Sequence, residues 1–509
     1  MIVYITICVC LFFLLVLIWF INKVWWTPVR IQSRMRSQGI KGPSHKFIHG
    51  STKDILNMKN ETMRSPMELS HQIYPRVSPH VYSWIKLYGK NFLMWYGLEA
   101  QLVVTEPQLI KEILSDKHRA YPKREPREYT KKLLGNGLVT AQGEKWFKQR
   151  KLANHAFHAE TLKSMIPDMI ASAEMMLDRW RDNEGQEIDV YQEFKILTLE
   201  AISRTAFGSS YLEGENIFNM LTKLTFFISK NEYRVRIPVI GKLVKTHDDI
   251  ESHKTEQDIR DSIIKIIKKR ESNVMTGEVE SYGSDLLGVL MQAYHNVDET
   301  LKISLDDLID ECKTFYIAGH ETTASLLTWT VLLLAIHNDW QDKARNEVLQ
   351  LFGQQSPNAD NISRLKIMSM IINESLRLYP PVVLILRKVK KEVKLGKFVI
   401  PADVDITIPT LAVHHDPQIW GEEFHLFKPE RFAGGVANAT NNNMAAFIPF
   451  GLGPRTCVGF NYAIMEAKIA LSMILQQYKF TLSPTYVHSP ASIITLRPQH
   501  GLQVLLHAL

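Results

Sequence analysis

The sequence predicts a mainly α fold with a small β part, preceded by one N-terminal transmembrane helix. Three observations carry that prediction. The first twenty-one residues are uncharged and apolar, a stretch of some thirty-three residues from Ser304 reads as one long buried helix, and β-like texture is confined to short pieces. With 45% hydrophobic and 22% charged residues over 509 positions, the chain can bury a large core. Low-complexity sequence is limited to the run Asn441–Asn443, and no repeat of solenoid period is found.

The N-terminal element is Ile2 to Ile21, IVYITICVCLFFLLVLIWFI. Twenty residues at ~1.5 Å each match a hydrocarbon layer ~30 Å thick. Fifteen of them are Ile, Leu, Val or Phe, and at a few tenths of a kcal/mol each their insertion gains roughly 5 kcal/mol. A cleaved signal peptide would want a basic residue before this run and an A-x-A-like site after it. Nothing basic precedes it, and the first alanine is Ala100. Residues 1–22 therefore read as an uncleaved anchor.

Residues 23–43 read as a basic linker. Lys23, Arg30, Arg34, Arg36, Lys41 and Lys46 fall in the first 50 residues with no acid, which leaves 54 basic against 53 acidic side chains on the body. Positive charge after the span places the body in the cytoplasm and draws the linker to anionic membrane lipid. Trp19, Trp25 and Trp26 stand where an interfacial aromatic belt would lie. With no basic excess on the folded part, a nucleic-acid partner is not expected. Cys8, Cys10, Cys312 and Cys457 form no disulfide framework, which suits a reducing cytosol. The sequons at Asn60, Asn361 and Asn438 should stay unmodified in this topology.

The globular body, 44–509, starts after Gly42-Pro43. NFLMWYG and AQLVVT are short strand-like pieces, and helical stretches then dominate from about 107 to 380. Ser304 and Asp307 make a capping-box-like start to a helix running to about His337, near ~50 Å long. A segment so apolar on every side is buried. Asp306, Asp307, Asp310, Glu311, Lys313, His320 and Glu321 punctuate its first half, so it reads as a core helix and not a second span. Between about 381 and 413 the texture turns to β, broken at Gly396 and at Pro401-Ala402-Asp403. A helix from about Phe460 to Tyr478 and strand-like KFTLS and GLQVLLH close the chain.

Chemistry concentrates in PFGLGPRTCVGF, residues 449 to 460. Its spaced pattern, F-x-x-G-x-R-x-C-x-G, fixes Phe450, Gly453, Arg455, Cys457 and Gly459. From average residue usage, five such positions would coincide by chance about once in ten thousand chains of this length. A thiolate aimed at a metal needs backbone N–H groups turned to the sulfur. Glycines allow the positive φ this requires, and the following helix adds a favourable dipole. A lone cysteine so placed can be the single proximal ligand of haem iron. The plainer reading is a structural cysteine beside a tight turn.

On these residues the chain resembles the cytochrome P450 family, the haem-thiolate monooxygenases, from about residue 40 to 509 and in its anchor. The resemblance implies a P450 fold, haem b with Cys457 as the iron's thiolate ligand, and Phe450 and Arg455 among the cofactor-binding residues. Ala318-Gly319-His320-Glu321-Thr322-Thr323 matches the family's A/G-G-x-D/E-T-T element. Gly319 would let a wide flat ligand approach the helix. An acid followed by a hydroxyl can relay protons, and by resemblance Glu321 supplies them from the solvent side while Thr322 orients water at the reacting oxygen. Thr hydroxyls bonded back to carbonyls are the plainer reading.

Glu374-Ser375-Leu376-Arg377 is an E-x-x-R whose ends share a helix face. The family adds Arg431 from FKPERF, giving a buried network that braces the cysteine loop; losing one partner would cost several kcal/mol. Trp146 and Arg150, at i and i+4, are donors suited to a carboxylate. The resemblance makes that carboxylate a haem propionate and adds Arg387 and Arg455 as partners, against plain amphipathic packing. Lys145, Lys148 and Lys151 form either a solvated face or part of a docking patch for an acidic electron donor. Anchored members of the family carry a proline-rich hinge, where this chain keeps only Gly42-Pro43.

By the same layout the pocket is lined by the 118–135 loop, the 210–240 region, Ile317, Ala318, Val382-Val383-Leu384 and Ile493-Ile494. These are largely apolar, so a lipophilic substrate is expected. LLGNGLVTAQGEKW, AFHAETLKSM and FYIAGHETTASLLTW look like the plant clan that oxidises terpenoids, gibberellins, brassinosteroids, cytokinins and fatty acids. The implied activity inserts one atom of O2 into a C–H bond. Electrons come from NADPH through a separate reductase, since this chain has no nucleotide or flavin motif. The implied site of action is the endoplasmic reticulum membrane, with the catalytic domain facing the cytoplasm. Two other readings stand beside it: an O2-independent haem-thiolate isomerase or dehydratase, which typically lacks the acid–Thr pair, and a non-catalytic membrane haem sensor, which needs no proton relay.

Overall fold

A 32-residue helix, Leu305–Ile336, runs through the body and sets the rest of the architecture. It starts in a reciprocal capping box: Ser304 Oγ accepts from the Asp307 amide and the Asp307 carboxylate accepts from the Ser304 amide, both at 3.1 Å. Its apolar residues are buried on all sides because other helices surround it, chiefly Val190–Phe207, Lys366–Leu378 and Phe460–Gln477. The computed structural model describes residues 1–116, 119–182, 185–234 and 245–509; residue 118 and residues 235–240 of the expected pocket segments lie outside them.

Mostly helix with a small β part is the observed class. The main sheet has four strands in the spatial order Asn91–Tyr96, Glu99–Val104, Asp405–Pro409, Leu384–Lys388. Its central pair is parallel and the outer pairs antiparallel. A second sheet joins Glu187–Asp189, Gln503–Ala508 and Tyr478–Leu482, and two small antiparallel pairs complete the β part. Gly396 and Asp403, the expected breaks, take positive φ of 53° and 63°. One expectation differs. Residues 410–413 continue the β-like texture in the sequence, yet Thr410–His414 is helical. The strand before it and this helix are both fully buried, so neither shows the alternation that marks a strand, and Pro409 has no N–H to carry the ladder further.

The core has two parts. The larger surrounds the central helix, and the smaller packs on the four-stranded sheet and includes Met35 and Ile40. Those two come from the stretch read as linker, where Thr27–Ser37 is helical and docked. Arg34 pairs with Glu392 at 2.6 Å, and Gln38 exchanges two hydrogen bonds with the Val399 backbone. Gly42 then passes so close to Leu93 that any added Cβ would strike its carbonyl. The body is thus held to its N-terminal helix by packing, where the family's hinge would use prolines. Upstream the helix is continuous through a π-helical turn, Asn22–Trp26, into Ile2–Ile21, none of which is buried. Among the described residues this is the one helix long and apolar enough to cross a membrane.

Candidate functional site

Cys457 sits at the end of a loop wound by two positive-φ glycines, Gly451 and Gly453, each at 74°. A Cβ on Gly453 would run into the Leu114 carbonyl, so only glycine fits that crossing. Gly459 is different: its φ is −88°, and a Cβ there would meet no protein atom within 4 Å. Its backbone is open to any residue, and the expectation of positive φ fails at this position. The Cys457 amide donates to the Phe450 carbonyl at 2.9 Å, and Phe450 packs edge-on against Phe460 at 4.7 Å. Burial pushes the Cys457 thiol up, while the Gly459 N–H and the Arg150 charge favour its anion. The side chain is nevertheless exposed to solvent-sized contact.

The loop is braced from behind. Glu374 and Arg377 are wholly buried and doubly bonded, with Arg377 Nε and Nη2 each 2.7 Å from a Glu374 oxygen. Arg377 also donates to the carbonyls of His414, Phe424 and Leu426. Arg431 stands 3.5 Å from Glu374 and donates to the Trp420 and Glu423 carbonyls. His414, which the sequence reading passed over, carries this network to the cysteine loop: its Nε2 accepts from the Ile448 amide at 2.9 Å. Its only mark in the sequence is the pair His414-His415, too common a pattern to single out.

In front of the loop stands a second set of cations. Arg455 lies over the Trp146 ring at 4.4 Å and donates through Nη2 to the Ala141 carbonyl at 2.8 Å; its Nη1 is buried without a partner. Arg387, buried on its strand, pairs through its backbone with Lys123. Arg150 donates to the Thr456 carbonyl at 2.6 Å, so it holds the cysteine loop itself. Burial, then Arg387 and Arg455, bring the Lys123 amine down to about 7. Burial lowers Arg387 to about 10, and burial with Arg387 and Arg150 does the same to Arg455. Among the described residues none of these four cations makes an ion pair with a carboxylate. Lys123 was missed because one lysine in PKREPRE carries no signal until Arg387 is brought beside it.

A group of buried and half-buried cations without acids, an orphaned guanidinium N–H and one thiol on a stiff loop form a donor set suited to an iron porphyrin with two propionates. The residues present fit that group.

On the central helix the geometry is more particular than expected. The side of Gly319 that lacks a side chain faces Ile202, whose carbons would lie 2.7 Å from an added Cβ. Its glycine serves the packing of Val190–Phe207 on the central helix, and the expected role in admitting a flat ligand is corrected accordingly. Thr322 Oγ1 donates to the Ala318 carbonyl at 2.7 Å. Glu321 accepts from Thr495 Oγ1 at 3.1 Å and lies 3.5 Å from His320 Nε2. Burial alone would push the Glu321 carboxyl up; His320, Arg497 and Lys195 outweigh it and hold it at about 2. Thr495 and His320 were not singled out as partners in the sequence, since one lies 174 positions away and the other adjoins Glu321.

Of the expected pocket residues, Ile317 and Val383 are buried while Val382 and Leu384 are each 37% exposed. Lys145 pairs with Asp307 and Lys148 donates to the Lys302 carbonyl, so both tie down the start of the central helix; Lys151 is exposed.

Comparison with known proteins points the same way. The family model described as cytochrome P450 matches residues 75–505. Cytochrome P450 CYP749A22 of Panax ginseng is 60% identical over 98% of this chain and 96% of the relative. Cytochrome P450 734A1 of Arabidopsis thaliana is 41% identical over 97% and 95%. An 11-oxo-beta-amyrin 30-oxidase of Glycyrrhiza uralensis is 41% identical over 96% and 95%.

Proposed function

Because this chain belongs to the cytochrome P450 family, we propose that it is a membrane-anchored haem-thiolate monooxygenase with Cys457 as the iron ligand. Its electrons come from NADPH through a separate reductase. Its helix Ile2–Ile21 spans the endoplasmic reticulum membrane and leaves the body, residues 44–509, in the cytoplasm. When bound, the haem supplies O2 activation, one oxygen atom entering a C–H bond of the substrate and the other leaving as water.

The rest is the work of this chain's side chains. Cys457 provides an anionic sulfur, which the Gly459 N–H and Arg150 favour. Arg455, Arg387 and Lys123, with the indole N–H of Trp146, offer donors and charge to the two propionates. Glu374, Arg377 and Arg431 hold the loop still through His414. Glu321, ionised and linked to Thr495, takes protons from the solvent side, and the Thr322 hydroxyl passes them on once it leaves the Ala318 carbonyl. Ile317, Val383 and their neighbours keep water from the reacting carbon. The substrate is lipophilic and terpenoid-like, as supported by the amyrin derivative in the name of one relative.

The observation that carries this reading is the single thiol beside a cluster of acid-free cations. Its test is the absorption spectrum of the reduced, carbon monoxide-treated full chain. The strongly red-shifted Soret band of a thiolate haem is expected, and Cys457→Ala should abolish it. A colourless protein expressed with ample haem precursor would sink the reading.

A further inference from the structure

Successive residues on a helix point about 100° apart, so neighbours in sequence do not normally face each other. His320 and Glu321 depart from this. Both are buried, at 3% and 8% exposure, and His320 Nε2 lies 3.5 Å from Glu321 Oε1. The other ring nitrogen, Nδ1, is 2.6 Å from the Tyr316 carbonyl. A carbonyl only accepts, so Nδ1 carries a proton and the ring is pinned one turn back on its own helix. The second carboxylate oxygen, Oε2, is taken by Thr495. Among the described residues His320 is the only basic side chain within 4 Å of Glu321.

We propose that His320 is a positioning residue for Glu321. Anchored on the Tyr316 carbonyl through Nδ1–H, the ring carries a second proton on Nε2, and that N–H, facing Oε1, keeps the carboxylate ionised and turned toward Thr495, ready to accept a proton. The inference rests on the reading of Glu321 as proton carrier given above. The other charged or titratable groups acting here are Arg497, beyond Thr495 on the strand Leu496–Pro498, and Lys195 and Tyr191 on Val190–Phe207. Phe218, from the helix Tyr211–Asn231, meets the imidazole edge-on at 5.7 Å and adds no charge. An uncompensated carboxyl in so dry a setting would take up a proton and keep it. Removal of the imidazole should therefore move the titration of Glu321 up toward neutrality.

The test uses the full-length, haem-loaded protein as His320→Ala and His320→Gln. Infrared difference spectra read the protonated carboxyl band of Glu321, assigned by its loss when Glu321→Gln is added to each variant. Between about pH 5 and 8 the unsubstituted protein should show no such band. His320→Ala should show it growing as pH falls, and His320→Gln, which keeps a donor without the charge, should show it more weakly. The share of electrons lost to peroxide should rise several-fold in His320→Ala over the same pH range, with the carbon monoxide band unchanged. Absence of a protonated Glu321 band from both variants throughout that range overturns the proposal, even if peroxide rises. A band that titrates as expected with no change in peroxide supports the positioning role and sinks the proton-carrier reading instead.

Discussion

Two groups of basic side chains flank the cysteine loop, and they differ in what neutralises them. Arg377 has its counterion inside the protein: Glu374 meets it with two 2.7 Å bonds, and three backbone carbonyls use its remaining donors. Arg387, Arg455, Arg150 and Lys123 have each other, and one guanidinium nitrogen of Arg455 has nothing at all. Desolvating a cation is costly whichever group it joins. A protein that leaves four of them without an acid gains from binding an anion, and a protein that closes the circuit internally gains rigidity. On the function proposed above, the four acid-free cations are the receptor and the Glu374–Arg377 pair is the brace.

The comparison breaks most visibly at the brace. Arg377→Ala leaves a fully buried Glu374 carboxylate without its main partner, a change that costs about 3–5 kcal/mol. Against a typical total of about 5–15 kcal/mol, little folded protein should survive, as read by soluble yield and thermal unfolding. Replacing Glu374 and Arg377 together by leucines should recover only part of the loss. The carbonyls of His414, Phe424 and Leu426 would still lack their donor. Full recovery would mean that the pair braces nothing.

Arg455→Met should behave in the opposite way. It removes one hydrogen bond to Ala141, worth about 1 kcal/mol, and at the same time relieves repulsion from Arg387 and Arg150. The apoprotein should melt within a few degrees of the original. Haem retention should suffer, because a charge-assisted bond of about 1.5–3 kcal/mol corresponds to roughly ten- to a hundredfold in affinity. The measurement is the rate of haem transfer to a scavenger protein. Unchanged transfer would remove Arg455 from the receptor.

The difference between the two groups also marks what could be read from the sequence. The E-x-x-R spacing, the cysteine loop and the capped central helix are local patterns, and the capping box and the apolar run after it predict the ends of the central helix within a residue or two. Lys123, His414 and Thr495 acquire meaning only through partners far along the chain. Nothing near Lys123 in sequence announces Arg387, and nothing near Thr495 announces Glu321. Gly319 shows the opposite failure: its motif was legible, but the residue that needs its missing side chain, Ile202, belongs to another helix. Residues 410–413 show a third, since complete burial erases the alternation by which strands are told from helices.

The smallest effect expected is also the most specific to the receptor. The Lys123 amine titrates near about 7 in the folded chain against an ordinary 10.5, because burial and two guanidiniums oppose its charge. Between those values the unfolded chain holds a proton that the folded chain has given up, so stability rises with pH through the window and the full penalty is present below it. Lys123 is partly exposed, and solvent reduces the slope accordingly. Denaturant unfolding of the apoprotein at either end of the window should show the rise, and Lys123→Met should flatten it. Haem should flatten it as well, since a propionate beside the amine restores its charge and returns its titration toward the ordinary value. A slope that survives Lys123→Met would mean that the cations act separately, and the contrast with the brace would then lose its electrostatic basis.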